Sequence, residues 1–162
     1  MLEQLGTIHP LLPPGVGLLA LVAGAVITDL IVKQVLVRAV RAFAQRSSIT
    51  WDDALVKNNV FGRLVQVVPA LIVFVGVPFV LGLPEGVMQL IRNVAMGYMV
   101  LMLTLALTAT LSAANTIYAA SPIAKERPLK GFVQLVQIVV WIIGSVLIVA
   151  TVLDRSPLLL LS

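Results

Sequence analysis

Few side chains in this chain are equipped for chemistry, and most of them sit inside apolar runs. Asp29 and Lys33 stand four residues apart, a spacing that lets a carboxylate and an ammonium pair along one helical face. An ionisable residue within a membrane is by default a functional candidate, and in that role Asp29 would couple the movement of a proton or ion. Counted from Leu12 at 1.5 Å per residue, Asp29 lies ~25 Å along its helix, near the far interface, so an interfacial Asp29–Lys33 ion pair is the stronger expectation. Asp52 and Asp53 are adjacent carboxylates, the raw material of general acid–base work. Neighbours on a helix point apart and no histidine lies near them, whereas Thr50 just before them suits an N-cap with acidic groups in the first turn. Thr104, Thr108 and Ser112 recur every four residues, as do Ala106, Thr110 and Ala114. Such rows can line a polar conduit, but small residues at this spacing chiefly allow close helix–helix approach. Met96, Met99 and Met102 have no histidine or carboxylate converging on them, so packing is expected rather than metal ligation.

What is missing narrows the chemistry further. His9 is the one histidine and cysteine is absent, which excludes disulfides, thiolate nucleophiles and Cys-based metal sites. No glycine-rich phosphate loop or metal-ligand cluster occurs. The expectation is a protein that is not an enzyme, with no cofactor, no metal and no evident small-molecule substrate. The net charge of +4 does not point to nucleic acid, because the basic residues flank apolar runs and form no basic–aromatic face.

Those apolar runs are the elements that must position everything else. They cover residues 18–37, 65–83, 94–114 and 132–153 of a chain that is 60% hydrophobic and 11% charged, with a mean hydropathy of +1.09. Crossing ~30 Å of hydrocarbon takes ~20 helical residues, and lipid cannot satisfy an open backbone. The predicted fold class is all-α: a helical integral membrane protein with four transmembrane helices, at about 15–37, 62–83, 90–118 and 129–153, and the start of a fifth at 154–162. A short lead, 1–14, is expected to stay non-helical until Gly15 because of Pro10, Pro13 and Pro14. Without Lys or Arg it lacks the positive region of a signal peptide. The first helix is expected to continue as a stem through Arg38 and Arg41 to Arg46, and Trp51 fits an interfacial aromatic position. Pro69, Gly76 and Pro78 interrupt the second span, making a hinge there a candidate, although a static kink is the commoner outcome. The short turn at 82–86 makes spans two and three antiparallel neighbours, the third span exceeds bilayer thickness, and Trp141 is expected to be buried between helices.

Charge sets the orientation. Lys33, Arg38, Arg41, Arg46, Lys57 and Arg63 flank or occupy the first connection, and Lys125, Arg127 and Lys130 the third; only Arg92 and Arg155 fall on the other side. A nine-to-two bias of this kind normally marks the cytoplasmic face, so both ends of the chain are expected on the extracytoplasmic side. Arg63, Lys125, Arg127 and Lys130 then become candidate anchors for anionic lipid headgroups, worth ~1 kcal/mol each.

Ser156–Pro157 reads as an N-cap followed by proline at the first helical position, so a fifth helix is expected to begin just before Ser162. Pro128-Leu129-Lys130-Gly131-Phe132-Val133-Gln134, together with Ser156-Pro157-Leu158-Leu159-Leu160-Leu161-Ser162, resembles the miniconductance branch of the small-conductance mechanosensitive channel superfamily. Trp51-Asp52-Asp53-Ala54-Leu55 is similar to that family's inter-helix segment, and the likeness covers roughly residues 45 to 162. The resemblance implies a homoheptameric channel of the bacterial inner membrane that opens under tension and releases solutes on hypoosmotic shock. It also implies a pore-lining helix and a cytoplasmic β-rich domain following the last motif; this sequence has neither, so no pore residue carries over and the four spans correspond to the lipid-facing sensor region. The implied partners are membrane lipids and further copies of the same chain. Two other classes compete: a standalone four-helix subunit that regulates another membrane protein, and a small ion-coupled transporter using Asp29.

Overall fold

A computed structural model of the chain describes residues 12–44, 50–120 and 129–154. The expectations placed on Arg46, on Lys125 and Arg127, and on the Ser156–Ser162 motif lie outside the described residues. Helix makes up 89% of the structure, and no strand occurs among the described residues. Four stretches are long and apolar enough to cross a membrane: Gly15–Val32, Val60–Phe79, Glu85–Ala119 and Lys130–Val152.

Helix α1, Leu12–Ala44, runs 33 residues, about 50 Å at the usual rise. It begins earlier than the prolines suggested. Pro13 and Pro14 sit in its first turn, where a missing N–H forfeits no helical bond and the fixed φ suits the helix. The stem through Arg38 and Arg41 is helical as far as Ala44. Helix α2, Thr50–Lys57, follows with Asp52 and Asp53 in its opening turn.

The second span is built from three pieces: α3 (Val60–Val65), α4 (Val67–Gly76) and a single 3-10 turn, Val77–Phe79. Each break has a local cause. Between α2 and α3, Asn59 adopts a left-handed conformation with φ 54°, which Asn tolerates better than most residues. Between α3 and α4, the ladder fails at Gln66, one turn before Pro69. Pro69 has no N–H for the Val65 carbonyl, and its ring crowds that carbonyl. Pro78 ends the helix in the 3-10 turn. Gly82, at φ 78°, then reverses the chain, and Pro84 caps α5 by accepting from the Val87 and Met88 amides at 3.0 Å. Glu85 in the first turn of α5 complements the helix dipole.

Helix α5, Glu85–Ala119, is 35 residues long, about 52 Å, well beyond bilayer thickness. Helix α6, Lys130–Val152, is 23 residues long. The four spans stand side by side in chain order rather than closing into a bundle. α1 packs on the second span, the second span on α5, and α5 on α6; no substantial contact joins α1 to α5 or α6 among the described residues. Burial follows this row: 6% of the first span's apolar window is buried and 11% of the fourth's, against 22% and 39% for the two inner spans. The outer surfaces are apolar, with Leu19, Phe79, Phe132 and Ile142 all exposed, as lipid contact requires.

Candidate functional site

The most extensive helix–helix contact among the described residues is the seam between α5 and α6. Helix α5 brings Gly97, Thr104, Thr108 and Ser112 to this seam, and α6 meets them with Gln137, Gly144 and Val152; Ala95 of α5 lies instead beside Pro69 and Ala70 of the second span. The approach is so close that a Cβ on Gly144 would lie 2.5 Å from Thr104 Oγ1, and one on Gly97 would lie 2.9 Å from Val152 Cγ2. Of the two four-residue rows, the first serves this seam: Thr104 and Thr108 are buried and Ser112 half-buried, whereas in the second only Ala106 is buried and Thr110 and Ala114 are exposed. Trp141, expected between helices, instead stands 41% exposed at the margin of the seam. The seam accepts glycine and alanine, and an indole is too large for it.

The hydroxyls in the seam are spent on the backbone. Thr104 Oγ1 donates to the Val100 carbonyl at 2.8 Å, Thr108 Oγ1 to the Thr104 and Leu105 carbonyls at 3.1 and 3.0 Å, and Ser112 Oγ to the Thr108 carbonyl at 3.0 Å. This arrangement satisfies polar groups where water is absent, and it favours packing over a hydroxyl-lined path. One side chain crosses the seam: Gln137 Nε2 donates to the Thr108 carbonyl at 3.1 Å and to Ser112 Oγ at 2.8 Å. The opposite flank of α5 receives a second crossing. Arg63, half-buried on α3, donates through Nη1 to the Leu105 carbonyl. Arg63 and Gln137 therefore grip two adjacent turns of α5, from Leu105 to Ser112, from two neighbouring spans.

The remaining candidate residues are scattered. Lys130 is exposed at the first position of α6. Pro69 marks the break in the second span. Gly76 is a close-contact position, since a Cβ there would lie 2.5 Å from Leu21 Cδ1 of α1, and Pro78 sits in the 3-10 turn. Asp29 is half-buried, and the side chain of Lys33 lies outside the described residues. Met102 is buried, Met99 half-buried and Met96 exposed, and no group of three His, Cys, Asp or Glu side chains clusters among the described residues.

Three side-chain contacts between helices escaped the reading of the sequence. Gln137 was signalled by an amide in the middle of an apolar run. Arg63 was noticed, but charge alone does not distinguish a headgroup anchor from a tie to a helix carbonyl. The third is Arg92, whose guanidinium carbon lies 4.7 Å from the centroid of the Phe74 ring, a cation–π contact joining α5 to α4. Its Nε is buried without a hydrogen-bond partner.

Fold and seam together define a multi-pass helical membrane protein whose third span is the common support. Compared with models of known protein families, with curated proteins and with solved structures, the chain finds no match.

Proposed function

We propose that this chain is the tension-sensing membrane region of a miniconductance-type mechanosensitive channel in a bacterial inner membrane, acting as one copy of a homo-oligomer, a heptamer as in the family it resembles. One observation carries the reading: four spans stand in a row one helix thick, with few residues of its end helices fully buried. Tension favours states of larger in-plane area, and a row spreads or tilts against lipid more readily than a closed bundle, in which each helix is held on several sides. The break at Gln66 and Pro69 supplies a place for α3 and α4 to change their angle. The resemblance of residues 128–134 and 156–162, and the nine-to-two charge bias that puts the basic connections by cytoplasmic headgroups, support the same reading.

The decisive experiment is recording under suction from giant spheroplasts of a strain without its own tension-gated channels, expressing the native gene product. Openings that appear with applied tension, and survival of hypoosmotic shock, are the expected results. Silence up to membrane rupture, with the protein present in the membrane, overturns the reading. The sparsely buried end helices also suit a second one, a subunit that stabilises a different membrane protein, and that reading predicts co-purification with an unrelated polypeptide.

A further inference from the structure

α1 leans on the second span and, among the described residues, makes no substantial contact with α5, which leaves a furrow beside the Pro69 break. Toward the Glu85 end of α5 the furrow is a cavity of about 530 Å³ walled by apolar side chains including Val73, Leu90 and Val94. Ala25, Pro69, Val73 and Tyr98 line both this cavity and the next, of about 260 Å³, where Asp29 and Gln66 join the wall. The two are thus one groove, running from an alkyl-lined wall to a carboxylate, an amide and a phenol. Among the described residues, no lysine, arginine or histidine lines either part. The size falls within the ~300–1,000 Å³ of small-molecule sites, which pair apolar walls with a few placed polar groups.

We propose that this furrow binds a single-chain amphiphile with a protonated amine head, the tail along Val73, Leu90 and Val94 and the ammonium at Asp29. The lining selects the head. Asp29 supplies an anion, and the Gln66 carbonyl and Tyr98 hydroxyl offer further acceptors. An ammonium has three N–H donors and no acceptor, whereas a carboxylate or phosphate head is repelled by Asp29. A carboxylate accepts at about four lone-pair sites, so a donor from the chain itself and an incoming ammonium can share it. The apolar wall holds an alkyl tail at no desolvation cost, and in this low-dielectric setting the charge pair is screened less than at the surface. Lys33 stands four residues beyond Asp29 on α1, a spacing at which its ammonium would compete for that carboxylate. The site does not depend on the channel reading, because binding requires no pore.

The test uses the full chain purified in a nonionic detergent, titrated with dodecylamine, dodecanol and dodecanoate while its thermal unfolding midpoint is followed. Dodecylamine is expected to raise the midpoint at a roughly tenfold lower concentration than dodecanol, with dodecanoate weakest. Asp29→Asn removes the amine's advantage while keeping the response to dodecanol, Lys33→Gln widens the advantage, and Val94→Trp blocks all three. A diazirine-bearing alkylamine gives a readout on the unmutated protein: labelling between residues 66 and 98 that dodecylamine displaces and dodecanoate does not. Equal action of amine and alcohol, an amine preference that survives Asp29→Asn, or no response to any of the three overturns the proposal; the first of these means that the furrow holds only ordinary alkyl chains.

Discussion

At the scale of single residues, the molecule is most sensitive where α5 and α6 touch. Gly144 faces the whole Thr104 side chain, including its Cβ at 3.1 Å from the position an alanine methyl would take. Gly144→Ala therefore overpacks a rigid seam, with an expected cost of about 1–3 kcal/mol, measurable by reversible unfolding in mixed micelles. Thr104→Ala removes the nearest atoms, Oγ1 at 2.5 Å and Cγ2 at 2.6 Å, so the double variant should recover much of the loss; a strictly additive result would mean that the two residues are not in contact. Gln137→Leu is expected to be milder. It deletes two hydrogen bonds, but the Thr108 carbonyl keeps the one from Ser112. Interhelical bonds of this kind average ~0.6 kcal/mol in membranes, and a loss near that value in the same unfolding measurement is the expected result. Arg63→Gln severs the tie to Leu105 on the other flank, and it should loosen α3 from α5 without disturbing the Gly144 contact.

At the scale of elements, proline placement decides where the second span yields. Pro69→Ala restores an N–H opposite the Val65 carbonyl and should fuse α3 and α4 into one helix. Slower amide hydrogen exchange across residues 65–70 is the outcome that checks this; unchanged exchange would place the cause of the break elsewhere. The spans themselves were legible because hydropathy is a one-dimensional signal. Three of the four apolar runs became single helices, the second a broken one, and the 82–86 turn brought the second and third spans together. The pieces inside the second span were less legible. Pro69 announced a disturbance, but it fell at Gln66, one turn earlier, because proline disrupts the bond to the residue four places before it. Asn59 announced nothing, since its left-handed backbone depends on the helices on both sides. Pro13 and Pro14 misled in the other direction, because a proline that breaks an interior turn is welcome in a first turn.

At the scale of the whole molecule, charge and packing make separate statements. The charge bias predicts that an engineered cysteine at position 127 is labelled by a membrane-impermeant maleimide only after the membrane is breached, while one at position 85 is labelled from outside intact cells. The chain has no native cysteine to confuse the result, and the reverse pattern would invert the topology. The side-by-side order of the spans could not be read from the sequence. It depends on which faces of α5 carry glycine-complementary surface and which carry the Leu105 carbonyl that Arg63 reaches, and those are relations between helices. Small-residue rows were visible, yet two were present and only one was used in full.

A wall one helix thick also has a geometric consequence. Among the described residues it divides lipid from whatever stands behind it and encloses no lumen of its own. Any permeation path belonging to this protein must be bounded by something additional, whether further chain or further copies ranged around an axis, and the four spans would then be its outer perimeter and not its bore.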